Sequence, residues 1–211
     1  MPIENSLDTI LDSRTKIKII RLFISRTPDF RSSGREIAKR IKVSPPATHA
    51  ALKELYNQNI LNLEIIGRQH IYSLNTRGRI VKDILTPVFK KELSFKEDIK
   101  TFLVTKMKAL KIKQKILSLI LYGSLQRSQA GPKSDVDVAV VIKDKEDIQD
   151  IENKFINEIA VQFYEYFGVH LDAYIKTKEE FVKRLKRHLP PVSTLIKSYL
   201  VVFGKDPLEL V

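Results

Sequence analysis

Three aspartates and a glycine-serine pair have the types and spacing to do chemistry in this chain. In SDVDVAVV, Asp135 and Asp137 stand two residues apart within an apolar run. Strand side chains alternate faces, so both carboxylates project from the same side. Two anions that close repel unless a cation lies between them. A hard divalent ion held through oxygen is the natural partner, and magnesium commonly takes one or two carboxylates together with phosphate oxygens. Gly123-Ser124, separated from Asp135 by ten residues, supplies the phosphate side. A glycine lets backbone approach a phosphate closely, and Ser124 offers a hydroxyl at the start of a short predicted helix, whose N-terminus favours anions. Asp172, in GVHLDAYI, falls on the next predicted strand, within reach of the same cluster. The competing reading, exposed strand-end acids beside a simple turn, would suffice for a lone Asp-x-Asp.

These residues need a scaffold, and the second half of the chain predicts one. Strands over 116–122, 136–143 and 169–175 alternate with a short helix after Ser124, a long helix near 146–167, a helix over 178–188 and a last helix from about 192. Strands alternating with helices indicate α/β layers. AGPKS lacks the earlier glycine of a P-loop. The four histidines, His49, His70, His170 and His188, show no metal-ligand spacing.

An apolar strand, Gly-Ser, about ten residues, Asp-x-Asp in an apolar strand and a later Asp resembles the DNA polymerase β-like nucleotidyltransferase superfamily, especially its minimal branch. The resemblance covers about residues 95–205 and extends to the loop LQRSQAGPKS, with Arg127 where an arginine commonly stands and Ser134 directly before the first aspartate. It implies an α/β domain with a small mixed sheet. It also implies that Asp135 and Asp137 hold two Mg2+ ions, for which Mn2+ substitutes, and that Asp172 completes the ion on the acceptor side. Gly123, Ser124, Arg127 and Ser134 then form the nucleotide side, with an NTP, ATP first, as substrate.

The first half predicts a different unit. Leu7, Ile10, Leu11, Ile17, Ile20, Phe23 and Ile24 fall at helical spacing, in one helix or two in series, ended by Thr27-Pro28. GREIAKRIKV is a short helix, and SPPATHAALKELYNQN a second, with Ser44 as N-cap, Pro45 at the first helical position and Thr48, Leu52 and Leu55 facing inward. ILNLEIIGRQHIYSLN reads as a hairpin turning at Gly67-Arg68. Leu7 to Asn75 resembles the winged helix-turn-helix of MarR- and ArsR-type transcription regulators. That resemblance implies that Pro46, His49, Ala50 and Lys53 face double-stranded DNA with Arg68 at the wing tip. Only His49 and Lys53 among the helix positions can donate to a base, so a wing used for protein contact stays open.

Charge separates the halves. The net charge of +12 divides into +5 over residues 1–76, +8 over 77–115 and −1 over 116–211. The excess favours polyphosphate partners, although an ordinary lysine-rich surface carries the same signature. The absence of cysteine excludes disulfides and thiolate zinc sites and fits a reducing cytoplasm. The N-terminus lacks the pattern of a signal peptide, and no apolar run is long enough to cross a membrane. The expected organisation is a winged helix over 1–76, a basic helical linker over 77–115 and a nucleotidyltransferase domain over 116–211 with a helical start near 95. The expected protein is a cytoplasmic enzyme that moves NMP from an NTP to an acceptor, a protein among the candidates, with a homodimer allowed. The alternative is a DNA-binding regulator whose second domain only senses nucleotide.

Overall fold

The computed structural model describes residues 5–123 and 134–211. Within them the chain forms two compact units, 1–96 and 97–211. No helix among the described residues is long and apolar enough to cross a membrane.

The first unit begins with two helices in series, α1 (Ser6–Ile10) and α2 (Arg14–Ile24). Ser13 separates them because its side chain accepts from the Lys16 amide and caps α2. After Pro28 come strand β1 (Arg31–Ser33), helix α3 (Gly34–Ile41), helix α4 (Pro45–Asn57) and a hairpin of β2 (Leu61–Ile66) and β3 (Gln69–Leu74). Ile66 pairs with Gln69, so Gly67 and Arg68 form the two-residue turn. β1 was not anticipated; it adds antiparallel to β3, giving the order β1-β3-β2. Three residues are too few to show an alternation of their own, and this strand exists by virtue of its partner. Helices α2, α3 and α4 with a three-stranded sheet ending in a hairpin form a winged helix.

At the start of α4, Ser44 stands in the cap position but its side chain makes no cap bond. Its carbonyl instead accepts from the Thr48 amide and the Thr48 hydroxyl, each at 3.0 Å, which satisfies the buried threonine. Ile19, Ile20, Phe23, Ile37, Leu52, Leu55, Leu61 and Tyr72 fill the core. Val81, Leu85 and Phe89 join it from a π turn (Val81–Leu85) and helix α5 (Thr86–Leu93). Lys16 is buried among these helices, where it pairs with Asp12 and Glu54 and donates to the Thr9 carbonyl.

The second unit is a mixed four-stranded sheet between helices. Helix α6 (Phe95–Ala109) leads to strands β4 (Ile116–Tyr122) and β5 (Val136–Ile142). A helix follows as α7 (Ile148–Lys154), a π turn (Phe155–Ile159) and α8 (Ala160–Phe167). Strand β6 (Leu171–Thr177), α9 (Lys178–Lys186), α10 (Val192–Leu195) and β7 (Leu200–Gly204) complete it. The sheet order is β6-β5-β4-β7, parallel between β5 and β6 and antiparallel elsewhere. β4 and β5 are near-continuous apolar runs because both faces are covered. On one face Ile120, Ala139 and Val141 pack with Phe181, Leu185, Val192 and Leu195 of α9 and α10. α7 and α8 pack elsewhere against β6, with Phe102 of α6 set edge-on to Phe163 at 5.6 Å.

Two boundaries depart from expectation. β6 begins at Leu171 because Gly168, at φ +68, ends α8 in the left-handed cap. The last helix is a single turn, and the chain then pairs along the free edge of β4 as β7.

Candidate active site

The sheet brings the acids together through register. Tyr122 on β4 lies opposite Asp137 on β5, and Asp137 opposite Asp172 on β6. Directly opposed residues share a face, with Cβ atoms about 5 Å apart, so three side chains form one row across three strands. Asp137 is half-buried and Asp172 exposed. Asp135 is exposed and stands just before β5 begins. The row therefore joins Asp137 to Asp172, with Asp135 at its approach. Among the described residues no three acidic or imidazole groups converge into a ready metal cage.

Gly123 follows Tyr122 directly and is buried, with φ +82. A Cβ placed on it would lie 1.8 Å from Asp137 Oδ2 and 2.7 Å from Cγ. The Asp137 carboxylate thus occupies the space that any other residue's side chain would fill. This is the physical reason for a glycine here: it gives both the left-handed backbone and room for an acid laid against it. Ser134, half-buried, precedes the acids. Ser124 and Arg127, expected on the nucleotide side, lie outside the described residues.

The row also shapes its electrostatics. The Tyr122 hydroxyl is pushed up to about 12, first by burial and then by the Asp137 and Asp172 carboxylates. It stays a neutral donor at any physiological pH while two carboxylates hold negative potential beside it. Two neighbouring carboxylates at a glycine turn fit magnesium's habit of taking one or two carboxylates and leaving the rest to phosphate oxygens and water.

Two aromatic residues of this face escaped the sequence reading. Tyr122 ends an apolar strand, and only the register aligns it with the acids. Tyr174, two residues beyond Asp172 on the same face of β6, has a buried hydroxyl with no hydrogen-bond partner among the described residues. His170 stacks on Tyr164 at 4.6 Å between ring centroids, which gives it a packing role.

In the first unit, Pro46, His49, Ala50 and Lys53 are exposed on α4 while Thr48, Ala51, Leu52 and Leu55 are buried, and Arg68 is exposed at the hairpin turn. His49 lines a cleft of about 310 Å³ with Arg35, Gln69 and His70, between the start of α3, α4 and the wing. Arg35 and His70 were not among the anticipated contacts. The fold, not their spacing, brings them to His49.

Both halves of the chain are similar to known proteins. Residues 103–199 match the model of the family described as "Nucleotidyltransferase domain". A relative from Methanocaldococcus jannaschii, named "Putative protein adenylyltransferase MJ1305", is 26% identical over 100 residues, spanning 46% of this chain and 67% of its own length. Among solved structures, HlyU from Vibrio cholerae is 16% identical over 40% of this chain and 86% of its own, with a TM-score of 0.34. The homodimeric winged helix-turn-helix domain Mb0332 from Mycobacterium bovis is 15% identical over 42% of this chain and 77% of its own, also at 0.34. The mixed sheet, its row of acids and the family match agree on one conclusion: the second unit of this chain carries a nucleotidyltransferase domain, preceded by a winged helix.

Proposed function

We propose that the second unit transfers a nucleoside monophosphate, AMP first, from an NTP to an acceptor hydroxyl. The observation that carries this reading is the Asp137–Asp172 row seated against Gly123 inside the matched domain. In the reaction the acceptor oxygen bonds to the α-phosphorus as the bridge to the β-phosphate breaks, and pyrophosphate leaves. Asp135, Asp137 and Asp172 are the residues that would hold two divalent ions, Mg2+ or Mn2+. Such ions, when bound, neutralise the charge that develops on the attacking and leaving oxygens.

The chain's own groups divide the remaining work. Gly123 brings the turn backbone close to the nucleotide's phosphates and fixes the Asp137 carboxylate. Asp172, on the edge strand, faces the acceptor, whose proton departs on that side. Tyr122 keeps its proton at the base of the row and donates without adding charge. The name of the archaeal relative favours a protein hydroxyl as acceptor. The winged helix, with His49, Lys53 and Arg68 exposed, supports contact with duplex DNA, which would bring the enzyme to its site of action.

The test uses the different duties of the acids. Asp172→Ala is expected to leave NTP binding within a few-fold of wild type, measured by calorimetry, yet to abolish label transfer from α-labelled ATP to acceptors in cell extract. A wild-type protein that binds NTP but releases no pyrophosphate with any acceptor would leave nucleotide sensing in place of catalysis.

A further inference from the structure

The face that carries Asp172 continues along β6 into a strongly basic groove. Asp172, Tyr174 and Lys176 alternate onto one side of the strand, about 7 Å apart per pair. α9 packs over this face, so its outer side chains meet the strand's edge. There a hollow of about 280 Å³ is lined by Lys176, Glu180, Lys183, Arg184, Arg187 and Leu189. Four cations and one acid share it. Arg184 is held in place, since its Nη1 donates to the Pro190 carbonyl at 3.0 Å. Tyr174 links groove and row. The Lys176 ammonium lies 5.7 Å from its ring centre, and Tyr174 stands between Asp172 and Lys176 on the strand.

We propose that this groove docks the acceptor, and that the acceptor is a protein segment bearing acidic residues about four positions from the hydroxyl that receives the nucleotide. This rests on the nucleotidyltransferase reading above. The spacing follows from the strand: Asp172 to Lys176 spans about 13 Å, which an extended peptide covers in about four residues. Charge complementarity gives the sign, because the lining carries a net of three positive charges. Peptide is favoured over nucleic acid because, among the described residues, the lining offers Leu189 and no aromatic side chain on which bases would stack. Forked guanidinium groups match carboxylates in pairs. Glu180 adds discrimination by repelling acids out of register.

The test uses the full chain and a Lys183→Glu/Arg187→Glu variant, both positions being exposed, one on α9 and one at its C-cap, and therefore tolerant of reversal. The probe is a fluorescein-labelled peptide with one tyrosine and a run of glutamates about four residues away. Its lysine counterpart and a short single-stranded oligoribonucleotide serve as controls. Wild type is expected to bind the acidic peptide in preference to both. The variant is expected to bind it about tenfold more weakly, the order for two exposed ion pairs turned to repulsions. With labelled ATP, the acidic peptide's KM should rise by a similar factor while the KM for ATP stays unchanged. Equal peptide affinity in wild type and variant overturns the proposal, as does a variant that loses only the oligoribonucleotide, which would make the groove a nucleic-acid track. If the groove binds the peptide but no pyrophosphate ever forms, the catalytic reading fails and the acceptor role with it. That outcome is distinct from failure of the groove.

Discussion

Gly123→Ala tests whether the Asp137 carboxylate is locked by the turn beside it. Two penalties add at this position. The backbone sits at φ +82, where a non-glycine residue costs about 1–2 kcal/mol, partly offset by the about 0.4–1 kcal/mol that alanine saves in the unfolded chain. The new methyl would also lie 1.8 Å from Asp137 Oδ2, so the carboxylate or the turn must shift, and overpacking of this kind costs about 1–3 kcal/mol more. Gly168→Ala is the matched control, since its φ is +68 and its Cβ would meet nothing within 4 Å. It should show the backbone penalty alone. Urea unfolding of the second unit should therefore place Gly123→Ala about 1–3 kcal/mol below Gly168→Ala. In an Asp137→Ala background the nearest remaining atom of that side chain is Cβ at 3.1 Å, so most of the excess should vanish as a coupling of about 1–2 kcal/mol. Gly123→Ala should also lose the thermal shift that metal and NTP give the wild type, whereas Gly168→Ala should keep it. Equal costs for the two glycines, or an excess unchanged when Asp137 is alanine, would refute the packing argument.

Other consequences follow from the same geometry. Saturating Mg2+ with ATP at about a hundred times Kd should stabilise wild type by about 2.7 kcal/mol, and Asp137→Asn should remove most of that gain in a melting assay. Because the Tyr122 hydroxyl is raised to about 12, the folded state keeps a proton that the unfolded chain releases near pH 10. Stability should then fall as pH rises from about 10 to 12, and Tyr122→Phe should flatten that alkaline loss in urea midpoints. Binding of duplex DNA should weaken steeply with salt, with Arg68→Ala and Lys53→Ala each reducing the slope of log K against log salt by about one. An anisotropy titration with no duplex binding at low salt would leave the wing to protein contact.

Much of the fold was legible locally. Apolar spacing of 3.6 marks α2 and α4, and the Gly67-Arg68 pair between two strand-like runs marks the wing, because element type and tight turns depend on nearby residues. The catalytic candidates were legible for the same reason: two carboxylates on alternate residues of an apolar strand, after a glycine turn, form a short-range pattern. What the sequence concealed was non-local. Lys16 reads as one more lysine on an amphipathic helix, and only packing between helices buries it beside Asp12 and Glu54. β1 and β7 are too short to announce themselves and form because β3 and β4 offer open edges. Tyr174 and the basic side of α9 read as an ordinary strand tyrosine and a solvated helix until that helix is laid over β6.

By itself, then, the sequence determined which residues carry charge, which turn needs a glycine and which segments become helices or strands, since these follow from side-chain chemistry and short-range sterics. Only the tertiary structure decided that Tyr122, Asp137 and Asp172 form one row and that Gly123 seats the middle acid. A strand's hydrogen bonds accept many partners, and a shift of one residue in register would turn every side chain of β6 to the other face. The register is chosen by burial of apolar side chains along the whole sheet, a sum over contacts far apart in sequence that no single segment contains.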